Sequence, residues 1–80
     1  MPIYYFAIYD HEGLNLVERP FHFASDREAV IEARQVLHDL IQDGLPFETG
    51  EFFAVRIYDA TMKPVHEVRM TYEIFLPESD

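Results

Sequence analysis

Histidine is the side chain most often recruited to metal and proton chemistry, and this chain has four: His11, His22, His38 and His66. No two of them show the four-residue spacing that sets a pair of imidazoles on one helical face. They fall in a turn, a loop, a helix and a strand, so the pattern predicts surface imidazoles rather than a metal centre. A weak surface site stays open only if His11 and His66 meet at the hairpin ends. Carboxylates are plentiful, and Asp10, Glu12 and Asp59 would converge if the first and third strands ran side by side and parallel. General acid catalysis needs a carboxyl held protonated in a cleft. Asp10 and Asp59 instead open turns, where the carboxylate is occupied by local backbone N–H groups. Ser25 precedes a helix as its cap and Ser79 lies near the end, so neither is a candidate nucleophile. Without cysteine the chain has no thiolate ligand, no thiol nucleophile and no disulfide. Gly13, Gly44 and Gly50 are too dispersed for a phosphate-cradling loop. The residues therefore nominate no catalytic, cofactor-binding or metal-binding group.

The elements that would position any site are legible from periodicity. "IYYFAIY" (residues 3–9) is rich in β-branched and aromatic residues and reads as a strand, closed by a turn with Asp10 at its first position and Gly13 at its fourth. A weaker strand from Leu14 to about Glu18 follows, and Pro20 prevents its continuation as a central strand. "SDREAVIEARQVLHDLIQDG" is a helix: Ser25 and Glu28 form a capping box, Asp26 and Glu28 suit the positive end of the dipole, and Gly44 ends it. Ala29, Ala33, Val36, Leu37, Leu40 and Ile41 recur along one face. After the loop "LPFETG", two alternating segments, "EFFAVRIYD" and "VHEVRMTYEIFL", read as a second hairpin joined by "DATMKP".

The order is ββαββ, an α+β fold with a four-stranded, mainly antiparallel sheet and one helix packed on one face. The helix should meet Tyr4, Phe6 and Ile8, then Phe53, Val55 and Ile57, then Val68, Met70 and Tyr72. Tyr5, Ala7 and Tyr9, with Arg56, Tyr58, Glu67, Arg69 and Thr71, are left on the opposite face. "IYD" recurs at Ile8 to Asp10 and Ile57 to Asp59, each time with the pattern isoleucine inward, tyrosine outward, aspartate opening the turn.

Eighty residues make one domain, residues 1–80, with 77–80 expected to fray. A core this small leans on staples, and with disulfides excluded, oligomerisation gains weight. Fifteen acidic against six basic side chains give a formal net charge of -9, which repels phosphate backbones and anionic membranes. No apolar run is long enough to span a bilayer, and the N-terminus lacks the basic lead of a secretory signal. The expectation is a small cytoplasmic protein of bacterial type that binds neither nucleic acid nor membrane.

"MPIYYF", the D-x-x-G turn, a helix carrying Glu32-Ala33 and a late Asp39, then "VRIYD" and a closing apolar strand resemble a family of small, uncharacterised proteins common in rhizobia and related alphaproteobacteria. That family is a domain of unknown function, so the resemblance implies a complete domain and no activity. Its second hairpin commonly turns through Asp-Glu and glycine, whereas "DATMKP" has no glycine.

Tyr5, Tyr9 and Tyr58 beside Arg56 and Arg69 are the residue types enriched at interface hot spots. The sequence thus points to a non-enzymatic interaction module that self-associates as a dimer through the helix-free sheet face or an edge strand, with a further protein partner open. Two alternatives stand beside it. One is a small ligand binder or enzyme using the hairpin-end acids and histidines. The other is an acidic regulator that mimics nucleic-acid charge with Asp26, Glu28, Glu32, Asp39 and Asp43.

Overall fold

A computed structural model describes residues 2–10, 12–42 and 51–77. The expected helix end at Gly44, the loop "LPFETG" and the tail residues 78–80 lie outside the described residues, as do His11 and Asp43. The described elements are β1 (Ile3–Asp10), β2 (Gly13–Leu16), β3 (Phe21–His22), α1 (Asp26–Gln42), β4 (Phe52–Tyr58) and β5 (Pro64–Thr71). The fold is α+β, with one helix on an antiparallel sheet of order β2-β1-β4-β5 and β3 also paired to β1.

The sheet has five strands rather than the four expected, because Pro20 divides the second strand instead of ending it. Val17 still donates its N–H to the Phe6 carbonyl at 2.8 Å, the chain leaves the ladder at residues 18–20, and β3 then rejoins β1 through Ile3–His22 and Tyr4–Phe21. Proline, with no N–H to give, is tolerated at a sheet edge where one side of the ladder faces water. The consequence is a group of aromatic residues not anticipated from the sequence. Phe21 stacks on Phe6 at 4.5 Å between centroids, and Phe23 lies 5.9 Å from Tyr4 and 6.1 Å from Phe6.

The helix begins as its sequence dictates. Ser25 Oγ accepts the Glu28 N–H at 3.4 Å, while Glu28 reaches back to the Ala24 N–H at 2.8 Å, one residue earlier than the usual reciprocal bond. Ala29, Ala33 and Leu37 are buried against Tyr4, Phe6, Val55 and Ile57, with Val36, Leu40, Ile41, Phe53 and Val68 packed around them. Alanine at two successive turns lets the helix axis approach the sheet closely. Met70, expected inward, is 46% exposed, and Ile8 and Tyr72 are only half-buried. Met70 sits near the outer end of edge strand β5, opposite Phe53.

The helix-free face also differs from its expected form. Ala7 and Ala54 on that face are 1% and 0% exposed, so it has a buried layer of its own. Arg56 is the cross-strand neighbour of Ala7, and Tyr9 and Arg69 are those of Ala54, so large side chains flank both methyl groups.

Both hairpins start with the same bond. Asp10 Oδ1 accepts the Glu12 N–H and Asp59 Oδ1 accepts the Thr61 N–H, each at 2.8 Å. Gly13 takes a φ of +105° in the first turn. In the second, Met62 stands at φ +65°, donating its N–H to the Asp59 carbonyl at 3.0 Å. It occupies the left-handed position that glycine fills without a steric penalty. A β-bulge follows: Ile57 pairs His66 but Tyr58 pairs Pro64, leaving Val65 as the extra residue.

Candidate functional site

The five residues nominated for interaction share one face of the sheet. In an antiparallel ladder, directly paired residues point to the same side. Tyr5 pairs Tyr58, Ala7 pairs Arg56, Tyr9 pairs Ala54, and Ala54 in turn pairs Arg69. Tyr5, Tyr9, Arg56 and Tyr58 are half-buried and Arg69 is exposed. Three further members escaped notice in the sequence. Phe52 stacks on Tyr9 with centroids 4.8 Å apart and planes 4° from parallel, and Arg69 lies over the other side of Phe52 at 4.3 Å. Leu14 and Leu16, 45% and 47% exposed, extend the face across β2. Phe52 was legible in principle, because alternation puts it in phase with Ala54 and Arg56.

Glu67 ties the arginines together. Its Oε1 accepts from Arg56 Nε and Nη2 at 3.1 Å each, and its Oε2 accepts from Arg69 Nε at 3.0 Å and Nη2 at 2.6 Å. Partial desolvation opposes ionisation of Glu67, yet Arg69 and Arg56 hold its carboxyl below the ordinary glutamate value. Tyr58 and then Glu67 hold the Arg56 guanidinium still more firmly protonated. The outcome is a preorganised surface of aromatic rings and guanidinium planes.

A second cluster lies on the helix side, where the start of β1, the start of α1 and the β4–β5 turn converge. Tyr4 donates its hydroxyl to Asp26 Oδ1 at 2.6 Å, and His66 Nε2 lies 3.1 Å from Asp26 Oδ2. His66 reaches the helix because it is in phase with Val68 on the helix side of β5, and the bulge lets the preceding Val65 pack on the core as well. Asp26 is held below the ordinary aspartate value by the Tyr4 hydroxyl and then by His66. The same bond pushes the Tyr4 phenol up to about 12. An open cleft of about 510 Å³ adjoins the cluster, lined by Pro2, Ile3, Tyr4, Asp26, Asp59 and Val65, with Ala60 and Thr61.

The convergence of Asp10 with Asp59 does not occur. β1 and β4 are antiparallel, so Asp10 lies beyond the Tyr9–Ala54 end of the pair and Asp59 beyond the Tyr5–Tyr58 end. Asp59 is engaged in its own turn: Thr61 Oγ1 donates to it at 2.6 Å and the Lys63 N–H at 3.1 Å, and Thr61 and then Lys63 hold its carboxyl below the ordinary value. Among the described residues no three histidine, cysteine or acidic side chains are grouped to hold a metal ion. His22 and His38 are exposed, on β3 and α1. The helix acids have local tasks: Asp26 meets Tyr4 and His66, Glu28 caps, and Asp39 accepts from Gln35 Nε2 at 3.1 Å. No helix among the described residues is long and apolar enough to cross a membrane.

Fold and faces together define a small α+β domain whose most developed surface is a layer of rings and guanidinium groups on a sheet. Residues 3–71 match the family described as Domain of unknown function (DUF6894), and the chain belongs to that family. Searches of curated proteins and of solved structures return no match.

Proposed function

We propose that this chain is a non-enzymatic interaction module of the bacterial cytoplasm that self-associates as a dimer. The observation that carries this reading is the gathering, by strand register, of Tyr5, Tyr9, Phe52, Tyr58, Arg56 and Arg69 on a sheet face that no described element covers. Glu67 is the sole acid among the β4 and β5 residues of that face, in a chain with a formal charge of -9. A copy of the same molecule can meet this face without the repulsion its other surfaces would raise. Tyrosine, phenylalanine and arginine held by their neighbours also lose little rotamer entropy on contact.

Light scattering after gel filtration tests this directly. A dimer at micromolar concentration is expected, weakened by Tyr5→Ser or Tyr58→Ser. A strict monomer at high micromolar concentration rejects self-association.

A second reading has its own observation, the Tyr4–Asp26–His66 chain beside the cleft. Its two carboxylates, Asp26 and Asp59, and its apolar wall of Pro2, Ile3 and Val65 suit a small cation with an apolar body. Chemical-shift mapping with a panel of alkylamines tests it, and an unmoved Tyr4 and His66 across the panel counts against it.

A further inference from the structure

β5 is an edge strand of eight residues, bulged at Val65, and no described strand pairs with its outer side. Native edges are usually blunted by a break, a proline or a short length. The other edge of this sheet is treated in that way: β2 has four residues, β3 has two, and the segment containing Pro20 separates them. In β5 the proline and the bulge are confined to the first two positions, and residues 66–71 run on without a break. Beyond its end, Ile74, Phe75 and Leu76 are 56%, 77% and 94% exposed, three consecutive apolar side chains facing water.

The charges along β5 specify a partner. Glu67 and Arg69 flank Val68 and lie on one face of the sheet. If a second copy pairs antiparallel to β5 with the two Val68 residues opposite each other, each Glu67 falls directly across from the other copy's Arg69. Both cross-strand pairs are then of opposite sign. The same pairing carries the apolar extension of each copy toward the other's β4–β5 turn. There Met62 is 44% exposed, close to the cleft walled by Pro2, Ile3 and Val65.

From these observations we infer that the partner surface is β5 itself: two copies join antiparallel strands about a two-fold axis at Val68, each burying residues 74–76 against the other's turn. Such a contact is isologous and consumes the only long edge among the described strands, so it closes at a dimer instead of growing into a fibre. This inference rests on the dimer reading alone and places its contact at the β5 edge in place of the sheet face.

The experiment uses two full-length variants, Glu67→Arg and Arg69→Glu, each checked for folding by circular dichroism. Alone, each places like charges across the proposed axis and should dimerise about tenfold more weakly than the parent chain. Mixed, they present arginine opposite glutamate at both pairs, and the mixture should form the one-to-one heterodimer in preference to either homodimer by native mass spectrometry. A mixture with no such preference, from a parent chain that dimerises, overturns the β5 pairing and leaves the sheet face as the contact. A monomeric parent chain overturns both readings.

Should either variant fail to fold, concentration-dependent amide exchange of the parent chain decides the matter. Protection of residues 66–72 that rises with concentration supports the pairing, and exchange unchanged across a concentration range that spans dimer formation overturns it.

Discussion

Met62 shows how a single backbone angle carries a stability consequence. At φ +65° its Cβ crowds the adjoining carbonyl, a penalty that glycine escapes. Glycine in turn loses more freedom on folding, so Met62→Gly should stabilise the chain by roughly 0.5 kcal/mol, a rise in Tm of about 2–4 °C. A fall in Tm would show that the side chain contributes packing that outweighs the strain. Tyr4 and Asp26 bear on pH at both extremes. The Tyr4 phenol is raised from 10.0 to about 12 in the folded chain, so the stabilisation it brings is complete below pH 10 and lost as pH climbs toward 12. An ultraviolet titration should show one phenol ionising near pH 12, a step missing in Tyr4→Phe. Asp26 has the opposite sign: its folded value is lowered, so its contribution is present above the ordinary carboxylate range and fades as pH falls through the lowered value. Asp26→Asn should flatten the acid limb of a stability profile, and an unchanged limb would show that the Tyr4 and His66 contacts carry no net stabilisation.

Among the elements, helix and central strands were readable because their patterns are long. The stripe from Ala29 to Ile41 and the alternation Phe53, Val55, Ile57 each repeat several times, and the structure places them against one another. β3 was not readable, since two residues have no period; the pairing of Ile3 with His22 and of Tyr4 with Phe21 creates it. The burial of Ala7 and Ala54 was equally hidden. A small side chain is covered by whatever its neighbours do, and here Tyr9, Arg56 and Arg69 are the cross-strand neighbours of the two alanines. That Tyr5, Tyr9, Arg56, Tyr58 and Arg69 share a face was readable because alternation fixes the face of each strand. The Tyr4–Asp26–His66 cluster was missed although alternation puts His66 in phase with Val68, because nothing in the sequence pattern ties the start of α1 to the start of β5. Ala54→Leu tests the layered view of the helix-free face. Extra methyl groups beneath Phe52 and Arg69 should destabilise by about 1–3 kcal/mol, measured by urea unfolding. A neutral result would mean that the face is loose enough to lift.

For the whole molecule, the antiparallel pairing of β1 with β4 has a geometric meaning beyond separating Asp10 from Asp59. The pair Ala7–Arg56 lies at the centre of the order β2-β1-β4-β5, and a rotation of 180° about that point carries the first hairpin onto the second. Ile8, Tyr9 and Asp10 land on Ile57, Tyr58 and Asp59, and the two aspartates grip their turns through the same bond. The sheet is thus close to a palindrome in space, written once with glycine at its corner and once with methionine. The helix, lying nearer β4 and β5, the bulge at Val65 and the added strand β3 tell the two halves apart. Transplanting the first corner's geometry into the second is therefore a change that the architecture already contains.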